Sequence, residues 1–419
     1  MTSVVDTSVK YIHSGMAGAP VLTGSPGSMI GLLDAFLKDG FDIKTATSLS
    51  VVGGVATINY PGNHSAEKDT VIIVSGSSIG ALNGEQKVIA AGAGQMKFAT
   101  AVADGTATGT IQFKMAPLGW EKTFSGTNKG AYRSLDPQAS GMFMRVDDTQ
   151  NQVARVLGFE TMSDIDTGVG QFPLLAQLGG GLTATLWPKS YQNGGTNPVS
   201  YVMFGDSRVV YIKVAALTGN STDGSYTQYI GGSTHGFGDM RALRPSGDSY
   251  ACVLAGIPST TDWSNAVASG AFDGWDGNVH GFMPRHWSGV GTSWAVRCLP
   301  YVGTVNQSNV ATGMSGLDPR LGVFPSRVDG GLRLSPRYVR GEAVINNSDL
   351  EPRAEVPGLF HIPQQLVFTV LGPMAKIEGS GVYVGRRFLL VPIGEFTTPS
   401  VGAPQAIGLT AVDVTGPWR

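Results

Sequence analysis

From residue 43 to residue 115 the chain is divided into short runs of β-branched and alternating residues: SLSVV, VATINY, DTVIIVSG, GEQKVIAA, QMKFATA and GTIQFKM. Each run is bounded by Gly, Asn, Pro or Asp. Alternation at period two suits a strand with one face in a core, and the bounding residues are those that turn a chain sharply. Strands at this spacing predict a small β-sandwich of immunoglobulin-like type, although no Cys-Trp-Cys core is present. Strand-like runs continue beyond residue 117 in YVMFGDSRVVYIKV, SYACVLAGI, SWAVRCLPYVG, QQLVFTVLGP, GVYVGRRFLLVPIG and AIGLTAVDV. Only STTDWSNAVASGAF interrupts them, where Ser259, Thr260 or Thr261 can cap a short helix ending near Gly270. No fixed-period repeat is visible, which argues against a propeller or a β-helix.

The 419 residues exceed what one hydrophobic core usually serves. The expected fold class is mainly β, in three parts. An arm with one amphipathic helix covers 1–42, the immunoglobulin-like β-sandwich covers 43–116, and a larger β-sandwich or barrel-like domain covers 117–419. In SPGSMIGLLDAFLKDG the apolar residues Met29, Leu32, Leu33, Phe36 and Leu37 recur at helical spacing and define one face. Ser25 or Ser28 is placed to cap the start, Pro26 suits the first turn, and Gly40 stands where a left-handed C-terminal residue is wanted. Asp34 and Lys38 are spaced for an i,i+4 pair on the other side. The apolar face needs a partner, either the β body or a neighbouring subunit.

Charged residues make up only 14% of the chain, about half the usual share, and its 59 glycines are about twice the usual share. Interface cores are depleted in charge, so one reading is a surface largely covered by neighbouring subunits; a Gly-rich, turn-rich β protein is the plainer alternative. The net charge of −2 lacks the electrostatic footprint of a nucleic-acid or anionic-membrane binder. The start shows no basic segment followed by an apolar stretch, and no run of 18 apolar residues occurs. The expectation is therefore a chain without a signal peptide or membrane span, made in a cytoplasm. Cys252 and Cys298 each lie in an apolar strand-like segment, which favours buried thiols unless those strands are neighbours.

Several motifs invite a chemical reading. Gly76-Ser77-Ser78-Ile79-Gly80 is a literal G-x-S-x-G after an apolar strand, but no helix follows and no βα alternation supplies the hydrolase sheet, so a turn between strands is the simpler reading. GTNKG, within GWEKTFSGTNKGAYRS (119–134), has its Lys before the second Gly and no Ser or Thr after it, so it is not a phosphate loop. Asp147-Asp148, Asp164 with Asp166, and Asp273, Asp276 and Asn278 supply oxygen ligands without the full spacing of a calcium loop. His280 and His286 near Asp276 form a candidate two-histidine, one-carboxylate site only if a loop folds back to join them. The same acids, with Trp275, Trp287 and Trp294, suit a carbohydrate-binding or glycan-cleaving site, against the ordinary role of aromatics in β cores. No cofactor or metal is called for.

The segments KYIHSGMAGAPVLTGSPGSMIGLLDAFLKDGF, GWEKTFSGTNKGAYRS, MRVDDT, ARVLGFETMSDIDTGVGQFP, WPKS, VDGGLRLSPRYVRGE, VPGLFHIPQQ and the final VDVTGPWR occur in order along nearly the whole chain. In them the chain resembles a family of virion structural proteins of tailed bacteriophages, on which immunoglobulin-like modules are common. The resemblance implies a tail-associated structural subunit in a symmetric multimer, assembled in the host cytoplasm, with other virion subunits as partners and no catalytic residues to carry over. A capsid decoration or head-tail collar protein is the structural alternative, and a receptor protein for a host-surface glycan is the alternative of another class. On this reading the candidate interface residues are Met29, Leu32, Leu33, Phe36, Trp120, Lys122, Phe124, Lys129, Tyr132, Arg133, Trp418 and Arg419. Trp120, Phe124 and Tyr132 anchor the connection out of the sandwich, and the three basic residues are offered for ion pairs between subunits.

Overall fold

The computed structural model describes residues 3–190, 195–215, 234–244, 247–258, 272–273, 281–298, 330–337, 352–362, 370–372, 374–395 and 405–419. The chain is mainly β, as its alternating segments require. After β1 (Lys10–His13) and the helix come the eight strands of a sandwich: β2 (Phe41–Thr45), β3 (Ser48–Val52), β4 (Val55–Asn59), β5 (Val71–Ser75), β6 (Gly84–Gly92), β7 (Gln95–Ala99), β8 (Gly105–Ala107) and β9 (Gln112–Met115). They pair in the order β2-β9-β5-β6-β7-β4-β3-β8. β6 makes the fold a sandwich: Gly84 to Lys87 pair with β5, the register slips between Val88 and Ala90, and Val88 to Gly92 pair with β7. A bulge bends a strand, and here it carries β6 from one sheet to the other. Along β3, β4 and β7 every second side chain is buried, namely Leu49 and Val51, Ala56 and Ile58, Met96 and Phe98.

A five-stranded sheet follows, β10 (Trp120–Gly126), β11 (Lys129–Ser134), β12 (Phe143–Asp147), β13 (Val153–Phe159) and β16 (Thr185–Pro188), with the small hairpin of β14 (Thr161–Met162) and β15 (Gly168–Val169) beside it. The rest forms one long sheet with β1: β17 (Tyr201–Gly205), β18 (Val209–Val214), β19 (His235–Asp239), β20 (Arg241–Ala242), β21 (Cys252–Ala255), β22 (Gly281–Met283), β23 (Trp294–Arg297), β24 (Gly331–Arg337), β25 (Ala354–Ile362), β26 (Lys376–Glu378), β27 (Arg387–Glu395) and β28 (Gln405–Asp413). β17 and β18 are buried on both faces, which is why their sequence is apolar without alternation. β22 lies between β21 and the strand leading to Cys298, so Cys252 and Cys298 are buried and not joined in a disulfide.

Met29, Leu32, Leu33 and Phe36 are at most 1% exposed, and one apolar cluster runs from Leu49 and Phe98 of the sandwich through this helix to Tyr211 and Val412 of the long sheet. The chain thus covers the helical face with its own core, and these four residues are corrected from candidate interface to interior. The helix is α over Ser28–Leu33 and then widens to a π turn over Asp34–Asp39, ending at Gly40 with φ 69° as expected. In the wider turn Asp34 does not meet Lys38. It accepts instead from Lys122 (2.9 Å) and Tyr132 Oη (2.7 Å), while Lys38 bonds Asp39. Among the described residues no helix is long and apolar enough to cross a membrane.

The two ends of the long sheet meet the same edge of the sandwich. His13 of β1 and Lys376 of β26 both bond Glu67, at 3.2 and 3.1 Å. Arg387 reaches Asp69 (2.6 Å), Lys10 reaches Glu85 (3.0 Å), and Lys87 donates to Thr415 O (3.2 Å). The sandwich therefore bridges the two terminal strands of the long sheet rather than standing apart from it. Burial pushes the Glu67 carboxyl up, but His13 and Lys376 more than offset this and hold it at about 2, below its ordinary 4.5. A depressed carboxylate stabilises the fold above its ordinary pKa and loses that contribution as pH falls toward the folded value. We expect wild-type stability to fall from pH 4.5 toward 2. Glu67→Gln should flatten that slope by about 1 kcal/mol after solvent screening. Parallel acid titrations of the two proteins would overturn the assignment if their slopes coincided.

Candidate functional site

GWEKTFSGTNKGAYRS is the β10–β11 hairpin, turned at Thr127-Asn128 with Asn128 at φ 54°. Trp120 is 2% exposed, Tyr132 is fully buried, and half-buried Phe124 stacks on Phe143 at 6.1 Å. Lys122 pairs with Asp34, Lys129 with Asp166 (2.9 Å) and Arg133 with Glu121. The three cations proposed for neighbouring subunits are thus committed within the chain, a correction that follows from the hairpin lying against the helix and the β14–β15 hairpin. The C-terminal pair is held likewise. Trp418 donates its indole N–H to Asp413 O (2.8 Å) and lies 6.0 Å from Tyr211, and Arg419 bonds Asp206 (3.0 Å) and Asp239 O (2.8 Å).

The chemical motifs resolve into structural bonds. Ser77 exchanges hydrogen bonds with Asn83 and Ile79, and Ser78 Oγ accepts from Thr108 N, so the G-x-S-x-G is the turn between β5 and β6. Asp166 is occupied by Lys129 and Arg145, and Asp164 accepts from Asp166 N (2.8 Å). Asp147 accepts from Thr149. Trp275, Asp276, Asn278, His280 and the helix expected over 259–270 lie outside the described residues. Among the described residues no group of three His, Cys, Asp or Glu converges on a metal-sized point.

Asp148 has a role that local spacing did not reveal. Its Oδ2 accepts from Met29 N (2.8 Å) and Ile30 N (3.3 Å), capping a helix whose own Ser25 and Ser28 do not cap it. Its other oxygen binds Lys189, which also donates to Ser25 O (3.0 Å) and Gln150 O (2.8 Å). Both side chains are fully buried. Burial pushes the Asp148 carboxyl up and the Lys189 ammonium down, opposed by their attraction and by the helix N–H groups. This is a scaffold knot joining helix, β12 and β16.

The outward-facing chemistry lies on the loops at one end of the long sheet. Arg244 stacks on Trp287 at 3.6 Å, and His286 stands 5.0 and 5.2 Å from Trp287 and Trp294. Arg285 reaches Glu160 and lies 5.8 Å from Tyr250, while Arg353 grips Asp248 (2.7 Å) and Arg285 O. Gln177 ties the neighbouring loop to Ser293 O (2.8 Å). On these linked loops Trp287 is 41%, Leu175 61%, Val169 68% and Val290 72% exposed. Burial, then Arg353 and Arg244, push the His286 imidazole down, opposed by Asp248. Sequence reasoning singled out Trp287 and Trp294 but passed over Val169 and Val290. Their signal was available: each is a valine between two glycines, with no flanking side chain to cover it. No family model matches the chain, and no curated protein matches it.

Proposed function

We propose that the chain is a structural, non-enzymatic component of a tailed-bacteriophage virion, a tail, baseplate or tail-ring subunit in a symmetric multimer. The observation that carries this reading is that Trp287, Leu175, Val169 and Val290, large apolar side chains on segments tied by Arg285–Glu160 and Gln177–Ser293, are each exposed on a chain of low charge. The ordered run of segments resembling phage virion proteins points the same way. Quantitative mass spectrometry of separated heads and tails tests it: a small symmetric copy number in tails supports the reading. Copies in the hundreds on heads would replace it with a capsid decoration protein, and absence from particles would remove both.

At the subunit level, Trp287→Ala with Val290→Asp should weaken self-association about 30-fold, equivalent to about 2 kcal/mol, by sedimentation at matched concentrations. Unchanged association would move the contact elsewhere. The second reading, a host-glycan receptor, is favoured by the exposed Trp287 ring with Arg244 and His286 beside it. Binding of the full chain to a glycan array, lost in Trp287→Ala, would support that reading.

A further inference from the structure

Lys213 on β18 and Asp273 form a second sealed pair, unrelated to the exposed loops. Both side chains are fully buried, with Nζ 2.7 Å from Oδ2. The same carboxyl oxygen receives the hydroxyls of Thr234 (2.6 Å) and of Thr410 on β28 (2.7 Å), and Oδ1 receives Thr234 N–H (2.6 Å). Phe272, fully buried and edge-on to Tyr211 at 5.4 Å, fixes the backbone that presents Asp273.

We propose that the Lys213 amine and the Asp273 carboxyl condense within the folded chain to an amide cross-link. Transfer of one proton from Nζ to the carboxylate leaves a neutral amine and a neutral acid, removing two charges from a site where charge is costly. The amine lone pair then attacks Cγ. The C–N bond forms as one C–O bond breaks, and the departing oxygen takes a second Nζ proton and leaves as water. No oxidant or co-reactant enters. The two threonine hydroxyls and the Thr234 N–H are aimed where negative charge develops on the carboxyl oxygens during attack. The fold holds the amine nitrogen 2.7 Å from a carboxyl oxygen, which converts a bimolecular step into an internal one. Burial holds the Lys213 amine below its ordinary range, favouring the nucleophilic form; burial pushes Asp273 up, but Lys213 and the threonines outweigh this and keep it below its ordinary range. The proton transfer is therefore the uphill step. Lys213 Nζ also donates to Pro392 O at 3.5 Å, a carbonyl that the N–H of the amide can still serve, whereas Lys189 serves Ser25 O and Gln150 O at 3.0 and 2.8 Å, and a single amide N–H cannot serve both.

Intact-mass measurement on the purified, denatured full-length chain tests the bond. The wild type should be lighter than its sequence by one water, and a digest should yield a branched peptide joining Lys213 to Asp273. Lys213→Arg, which keeps the cation but cannot form this amide, should show its full sequence mass. A wild-type mass equal to the sequence mass, a linear peptide with a free Lys213 amine, or a water loss mapped to other residues would each overturn the proposal.

Discussion

Asp148→Ala will lower the stability of the chain by about 3–5 kcal/mol, read as a fall in the midpoint of chemical denaturation. The substitution has two consequences at once. Lys189 is left as a fully buried cation with only carbonyl partners, and Met29 N and Ile30 N lose their acceptor at a helix start that no local side chain caps. Lys189→Met should cost less, because the Asp148 carboxyl keeps both backbone donors and can take up a proton. Asp148→Asn should fall between wild type and Ala, since an amide oxygen still accepts at the helix while the countercharge is lost. If Asp148→Ala cost under about 1 kcal/mol, or no more than Lys189→Met, the knot would be a minor contact.

What the sequence made legible here was local. All six runs read as strands between 43 and 115 are strands, because period-two burial is written directly into SLSVV, VATINY or QMKFATA. β2 was missed because FDIKT is largely uncovered on both faces, and β8 because three residues carry no periodicity. Gly40 was readable as a left-handed terminus, since only a residue without Cβ takes φ 69° cheaply there. The helix cap was not, because its acceptor lies in another sheet and an adequate serine stood beside the helix start. The same limit explains the candidate interface. Amphipathicity says that Met29, Leu32, Leu33 and Phe36 must be covered, but not by what, and the covering surface comes from strands distant in sequence. Lys122 and Lys129 likewise read as charges available to neighbouring subunits until Asp34 and Asp166 are folded against them.

The C-terminal tail provides the second large effect and separates two views of how it is ordered. Gly358, in β25, sits at φ 71°, and a Cβ there would lie 2.0 Å from Cε2 of Trp418. Gly358→Ala thus combines left-handed strain with an overlap that the indole cannot easily relieve, since its N–H is fixed to Asp413 O and Arg419 is held by Asp206. We expect a loss of about 3–5 kcal/mol. Trp418→Ala should cost a similar amount, about 3–5 kcal/mol, by emptying the space between Gly358 and Tyr211. The double variant discriminates. With the indole gone the added methyl meets no ring, so only the backbone strain of about 1–2 kcal/mol should remain on top of Trp418→Ala. The two losses should then fall short of additivity by about 2 kcal/mol. That shortfall, measured on the isolated chain, would mean that the tail is ordered by its own sheet. Near-neutral single variants with full additivity would mean that neighbouring subunits order it, and the terminal Trp418-Arg419 pair would return to the list of interface residues.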